Sequence, residues 1–529
     1  MTWCVVLLSL LLVGCVHTDE SQGFDTHTDG SQGFELWFTT NKDEKERAPI
    51  YFDNPLPTWL KGTLIRNGPG QFEMGKRKFL NAIDGYSKLS SWTFSGNGSA
   101  YFSTKFLRSE SYKESRTNNN VAPFLTFGGV APPFSDIEKA DAVGHQLDNT
   151  NVNVFQYMDD DSPVFVAVSD VWKLYEFNSS LSTLGPVNAK HPVKEPADRI
   201  GFIDSMSCAH SLPEYGTSDT YFNFYSSLSL IPGIKHKLTL VRINSVNDRQ
   251  VVAEWDTDKV AYMHSFGVTP NYVIFFIAPY FVNIEELLLH GSVGDGMDWF
   301  PKENTTVYIV NTKTRQTYNM NISTVMALHH INAFEFPDGK IAVDVAGHQD
   351  PFFSNVFKIS NIYNVTSRAH SKYRTSVTRY IFDIKKNNYI TQTWPDSDKY
   401  QCASTLEVPT INEHYRSKPY CFVYGSVFNF DGEDFAHIAL VKKDVCGQKR
   451  DKALYIPNHY PTEAWFIPSP PGGATSEDDG YLATIFLDGT TKKSYIALID
   501  PKNMTITHKA ILPTVVPFNI HGRFFPDSV

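Results

Sequence analysis

Short runs in which apolar and polar residues alternate, or in which β-branched and aromatic residues crowd together, recur from Phe34 onward: Ala100 to Phe106, Val152 to Met158, Leu238 to Ile243, Val273 to Ile277, Tyr420 to Val427 and Tyr495 to Ile499. Period-two patterning predicts half-buried strands, and helical spacing is hardly sustained anywhere, so the expected fold class is all-β. Many runs break at a similar polar turn: FNSSLST, INSVNDRQ, VNTKTRQ, FDIKKNN, IDPKNMT and a looser KDVCGQK. These turns carry Asn178, Asn244, Asn311, Asp383, Asp500 and Asp444, and SGNGSAYF, with Asn97, is a weaker seventh member. Successive marks from Asn178 lie roughly 56 to 72 residues apart. A β unit recurring at about that length predicts a β-propeller whose four-stranded blades carry loop insertions, and seven marks predict seven blades. A sandwich with regular turns is the alternative.

Before Phe34 the pattern changes twice. Residues 1–15, MTWCVVLLSLLLVGC, contain an apolar run from Val5 to Val13 followed by small residues. The run is too short to span a bilayer and reads as a secretory signal peptide, which predicts a secreted or secretory-lumen protein, or a cytoplasmic one if the segment is not a signal. Residues 16–33 hold the near-duplicates HTDESQGF and HTDGSQGF, a polar linker whose histidines are solvated. Residues 34–529 then form the β domain. Within it Leu107 to Val143 is irregular, with Gly and Pro near its middle, and is read as a cap whose apolar centre touches a membrane or lines a ligand entrance, or else as a plain surface insertion.

The net charge of −10 makes nucleic acid an unsuitable partner. Six Asn-x-Ser/Thr sequons, beginning at Asn97, Asn178, Asn304, Asn321, Asn364 and Asn503, fit secretion without establishing it. Four cysteines follow the leader, Cys208, Cys402, Cys421 and Cys446; with no CxxC they indicate no zinc ribbon, and a disulfide among the last three is allowed.

Candidate chemistry emerges when the turns are used as a ruler. His264, His329 and His521 fall about 18 to 21 residues after Asn244, Asn311 and Asp500. Glu463 and Glu407 fall about 19 and 24 residues after Asp444 and Asp383, and His210 follows Asn178 at about 32, with an insertion at HPVKEPADRI. If the turns are equivalent hairpins, similar offsets mean equivalent blade positions. The first strand of a blade lines the axis, so four imidazoles and two carboxylates would converge there. A metal ion resolves the cost of burying them: neutral imidazoles suit Fe, Zn, Cu or Ni, and Glu407 and Glu463 suit acceptors for the outer ring N–H of a ligand. Solvent-exposed strand charges are the alternative for the two glutamates.

Beyond the spacing, GTLIRNGPGQFE at Gly62, AHSLPEYG at Ala209, YMHSFGVTPNYVIFFIAP at Tyr262, LHHINAFE at Leu328, PTEAWFIPSP at Pro461, EDDGYL at Glu477 and VPFNIHGRF at Val516 resemble the carotenoid cleavage oxygenases. That group includes animal β-carotene oxygenases, insect isomerooxygenases and the retinoid isomerohydrolase. The resemblance implies a seven-bladed propeller with a loop and helical cap over one face and Fe(II) on the central axis, held by His210, His264, His329 and His521. The pattern H-x-x-N-A selects His329 over His330. Glu407 and Glu463 match two of the family's three glutamate acceptors. The third falls at Asp170, in VAVSDVW, one methylene short, which predicts a longer or water-bridged bond to its histidine. The vertebrate members' proline-cysteine motif is absent; VAPPFSD at Val130 stands in its place, so peripheral membrane contact is open. The implied reaction is O2 insertion across a polyene double bond of a carotenoid or apocarotenoid, giving products such as retinal. Alternatives are a retinyl ester isomerohydrolase on the same iron, a carotenoid- or retinoid-binding protein without turnover, and a zinc hydrolase. His348, in VAGHQDPFF, is expected at the surface rather than in a tunnel wall, and His290 and His414 have no assigned role.

Overall fold

The computed structural model describes residues 31–145, 148–159, 162–187, 202–229, 231–371, 375–400, 402–470 and 476–527. The leader and most of the linker read from the sequence lie outside them.

Strands dominate, as the period-two patterning predicts. Among the described residues seven antiparallel sheets of four or more strands follow one another along the chain. Six are meanders in chain order, and their first strands begin at Asn153, Phe202, Gly267, Met326, Glu407 and His459. The seventh joins the two ends of the β domain. Its strand His521–Pro526 pairs with Lys61–Asn67, which pairs with Tyr86–Ser95, then Ala100–Phe106, then Lys45–Ile50.

Each marked turn is the hairpin between the third and fourth strands of its sheet. At six of the seven the side-chain oxygen accepts a main-chain N–H two or three residues on: Asn97 from Ser99, Asn178 from Ser180, Asn311 from Lys313, Asp383 from Lys386, Asp444 from Cys446 and Asp500 from Lys502. This self-capping favours Asn and Asp in tight turns, and it explains why these residues mark the repeat. Asn244 differs, donating to Asp248 instead.

Consecutive sheets are glued face to face by apolar clusters. Ile274, Val307 and Ile309 of one sheet meet Ile341, Val343 and Val345 of the next, all fully buried. Similar clusters join every consecutive pair, and Ile485, Ile496 and Leu498 of the last sheet meet Leu64, Trp92 and Phe102 of the sheet that holds both ends. At about 25 cal/mol per Å² of apolar surface removed from water, such side chains each contribute roughly 1.5–3 kcal/mol, so the packing between sheets is the main stabilising term.

The insertion carries helices Glu110–Asn118 and Asp136–His145. Its apolar centre is not offered to a membrane: Val121, Phe124, Val130 and Phe134 are buried against Met74, Phe79 and Tyr86. Among the described residues no helix is long and apolar enough to cross a membrane. Of the expected disulfides, Cys421–Cys446 is formed; Cys208 is a buried free thiol.

Candidate metal centre

The innermost strands are broken where the predicted site residues lie. His210 sits between Phe202–Ser207 and Leu212–Pro213, two pieces that both pair with Tyr221–Ser229. Glu463 sits in the equivalent gap between His459–Pro461 and Trp465–Pro468. His264 precedes the strand Gly267–Val268, and His521 opens the strand His521–Pro526. His329 lies inside Met326–Glu335 but between two register shifts, and Glu407 opens a strand whose register slips before Thr410. Val408 follows it at φ +47°, a left-handed conformation costly for a β-branched residue. Breaks and bulges rotate side chains out of the regular alternation, and here they turn several toward one point.

There one ring nitrogen from each of His210, His264, His329 and His521 lies within 4.8 Å of the other three. Nε2 of His210 is 3.0 Å from Nε2 of His264, and Nε2 of His329 is 3.3 Å from Nε2 of His521. His330 takes no part: it bonds Ser265 through Nδ1 at 2.7 Å and stands edge-on to Phe276.

Three of the imidazoles turn their Nδ1 outward onto carboxylates. His329 bonds Oε2 of Glu407, and His521 bonds Oε1 of Glu463 at 2.7 Å. His264 bonds Oδ2 of Asp170 at 2.6 Å. The expectation of a lengthened or water-bridged contact for the shorter Asp is therefore wrong. The backbone makes up the missing methylene: the Asp170 carbonyl accepts the Ser207 N–H at 3.2 Å, and its Oδ1 accepts the Ala209 N–H at 3.1 Å, which draws the residue inward. Among the described residues no carboxylate bonds His210.

Each carboxylate has a second donor that sequence reasoning did not single out. Arg66, fully buried, donates to the Glu463 carbonyl at 2.9 Å and pairs with its Oε2 at 3.3 Å. The Tyr262 hydroxyl donates to Oδ2 of Asp170 at 2.8 Å. His348 bonds Oε1 of Glu407 through Nε2. Against expectation His348 is buried, because the strand Ile341–His348 runs up to it and stacks its ring on Phe352 at 4.3 Å. A charged residue inside the apolar strand GTLIRNGPG was the available signal for Arg66; His348 and Tyr262 had none beyond their motifs.

The electrostatics suit a cation. Burial, then the neighbouring imidazoles, hold His210 and His521 well below the ordinary imidazole range, so their lone pairs are free. Burial alone would raise Glu407, yet His329 and His348 outweigh it and keep the carboxyl below its usual range. Burial pushes Glu463 up, to about 7, against the pull of Arg66. Four converging imidazole nitrogens, three of whose rings hold a carboxylate at their outer nitrogen, form a donor set that fits a divalent transition metal.

Comparison with known proteins agrees in extent along the chain. The family model described as retinal pigment epithelial membrane protein matches residues 38–526. A carotenoid-cleaving dioxygenase, mitochondrial, of Macaca fascicularis is 26% identical over 89% of this chain and 90% of its own length. A beta,beta-carotene 15,15'-dioxygenase of Homo sapiens is 25% identical, over 92% and 93%. Among solved structures, cobalt-substituted ACO of Synechocystis superposes with a TM-score of 0.76 at 20% identity, covering 93% of this chain and 98% of that one, a likeness of fold. These relatives overturn the expected secretory placement: relatives that match about nine-tenths of the chain carry a mitochondrial designation.

Proposed function

Because the chain belongs to the retinal pigment epithelial membrane protein family, we propose that it is an Fe(II)-dependent dioxygenase cleaving a carbon–carbon double bond of a carotenoid or apocarotenoid into two carbonyl products. The observation that carries this reading is the set of four converging imidazoles, three of them backed by buried or half-buried carboxylates. The names of relatives that span nine-tenths of the chain supply the substrate class.

On this reading the seven sheets are the blades of a propeller formed by residues 34–529, with the metal on its axis. His210, His264, His329 and His521 hold the ion. Ferrous iron bound there supplies O2 activation next to the polyene. The remaining work belongs to the chain. Asp170, Glu407 and Glu463 take the Nδ1 protons of their histidines, which fixes the tautomer and leaves each Nε2 lone pair facing inward. Arg66, packed against Glu463, compensates a carboxylate that burial would otherwise neutralise. The ring of Tyr262 packs against Phe353 with centroids 5.5 Å apart and adjoins an apolar cluster that includes Trp37, Tyr280, Phe352 and Phe518. This apolar wall beside His264 keeps water out and offers a surface to a long hydrocarbon.

Aerobic incubation of the purified, iron-loaded chain with β-carotene and with an apocarotenal, followed by chromatography and mass analysis, tests the proposal. Aldehyde products with about one iron per chain are expected. Stoichiometric iron with the polyene recovered intact would overturn the reaction, and zinc retained in preference to iron would overturn the cofactor.

A further inference from the structure

We propose that His348 is a positioning residue of the metal centre, clamping Glu407 so that Glu407 holds His329 in register. The inference rests on the iron reading above.

Glu407 is buried at 2% exposure with both oxygens engaged: Oε2 by Nδ1 of His329 and by the Val408 N–H at 2.8 Å, Oε1 by Nε2 of His348. A carboxylate held at one oxygen can pivot about its last side-chain bond. Held at both, by groups on two separate strands, it cannot. His348 is itself fixed: it ends the strand Ile341–His348, lies opposite Met326 and Thr375 in register, and stacks on Phe352 with the rings 22° from parallel. The clamp therefore runs from the Phe352 ring through His348 and Glu407 to His329. For His329 to present Nε2 inward, its Nδ1 carries the proton and donates to Glu407, so the proton that satisfies Oε1 comes from His348. In this respect His348 is the counterpart of Arg66 at Glu463, whereas Tyr262 shares Oδ2 of Asp170 with His264.

Two substitutions separate the hydrogen bond from the packing. His348→Phe keeps a flat ring on Phe352 and removes the donor; His348→Gln keeps a donor for Oε1 and removes the ring. The full chain is loaded with Fe(II), and iron release to a ferrous chelator is timed. The melting temperature of the metal-free protein is read alongside. The expected result is that His348→Phe releases iron about 10- to 100-fold faster than the parent, the usual penalty for losing a partner behind a metal ligand. His348→Gln should recover much of that loss, whatever either does to the metal-free melting temperature. In a Glu407→Gln background, His348→Phe should add nothing. The proposal fails if His348→Phe holds iron like the parent, if both variants release it equally fast, or if the effects of Glu407→Gln and His348→Phe simply add. A parent chain that binds no iron would fail the proposed function instead, before this comparison begins.

Discussion

The two sides of the histidine cluster are built differently. On one side Glu407 and Glu463 have side chains only 3% and 6% exposed, each pinned by a second side chain, His348 or Arg66. On the other, Asp170 is 17% exposed and His210 bonds none of the three carboxylates. A hydrogen bond in a dry, low-dielectric setting is stronger and costs more to break than one that water can replace. The deep side thus sets the position of the ligands and carries the electrostatic strain, while the shallow side tolerates adjustment.

The largest expected effect falls on the deep side. Arg66→Met leaves Glu463 buried without its cation and the Asn519 and Ile520 carbonyls without their donor. Breaking a buried pair from one end costs about 3–5 kcal/mol, readable as a shift in the urea midpoint of the metal-free protein. If Arg66→Met is neutral, the deep side is not electrostatically strained. Next, Glu407→Ala should speed iron release about 100-fold and Asp170→Ala only about 10-fold, the two ends of the range for partners of metal ligands. Equal factors would erase the distinction.

A pH test separates the two deep carboxylates. Glu407 is held below its unfolded range, so it contributes stability above about pH 4.5, lost as the pH falls. Glu463 is held above its unfolded value, so its contribution is complete below pH 4.5 and lost as the pH rises through about 7. Metal-free Glu463→Gln should therefore gain on the parent as the pH rises from about 4.5 to about 7, and Glu407→Gln should not, as followed by melting temperature. The smallest effects belong to the shallow side. Tyr262→Phe removes the hydroxyl's bond to Asp170 and its 3.3 Å contact with Nδ1 of His264, a loss of about 1 kcal/mol, and should leave iron retention within a few-fold. Asp170→Glu should bring no gain in iron retention, because the 2.6 Å contact leaves no gap for a methylene to fill.

Much of this was legible because the Asn and Asp of the outer hairpins are chemically required by their turns. Measured from them, His264, His329 and His521 share an offset, since each intervening fourth strand and connection is of similar length. Glu407 lies farther from its mark because residues 393–406, including the 3-10 turn Ala403–Thr405, intervene. What the spacing could not reveal was geometry finer than a strand. A register shift on either side of His329, or a strand break around His210, leaves the residue pattern unchanged while re-aiming the side chain. The same limit hid His348, expected at the surface although its strand continues to it and buries it, and hid the direct bond of Asp170, which depends on where its main chain is anchored.

The pairing of His521–Pro526 with Lys61–Asn67 ties the order of synthesis to the chemistry. His521 is the last of the four imidazoles to leave the ribosome, and it arrives on the strand that joins the C-terminal end of the chain to the first sheet. A polypeptide stopped before it has neither a shut ring nor a complete set of nitrogens. A product truncated before His521 would lack the fourth nitrogen of the proposed metal site, so full metal retention would require the C-terminal strand to be in place.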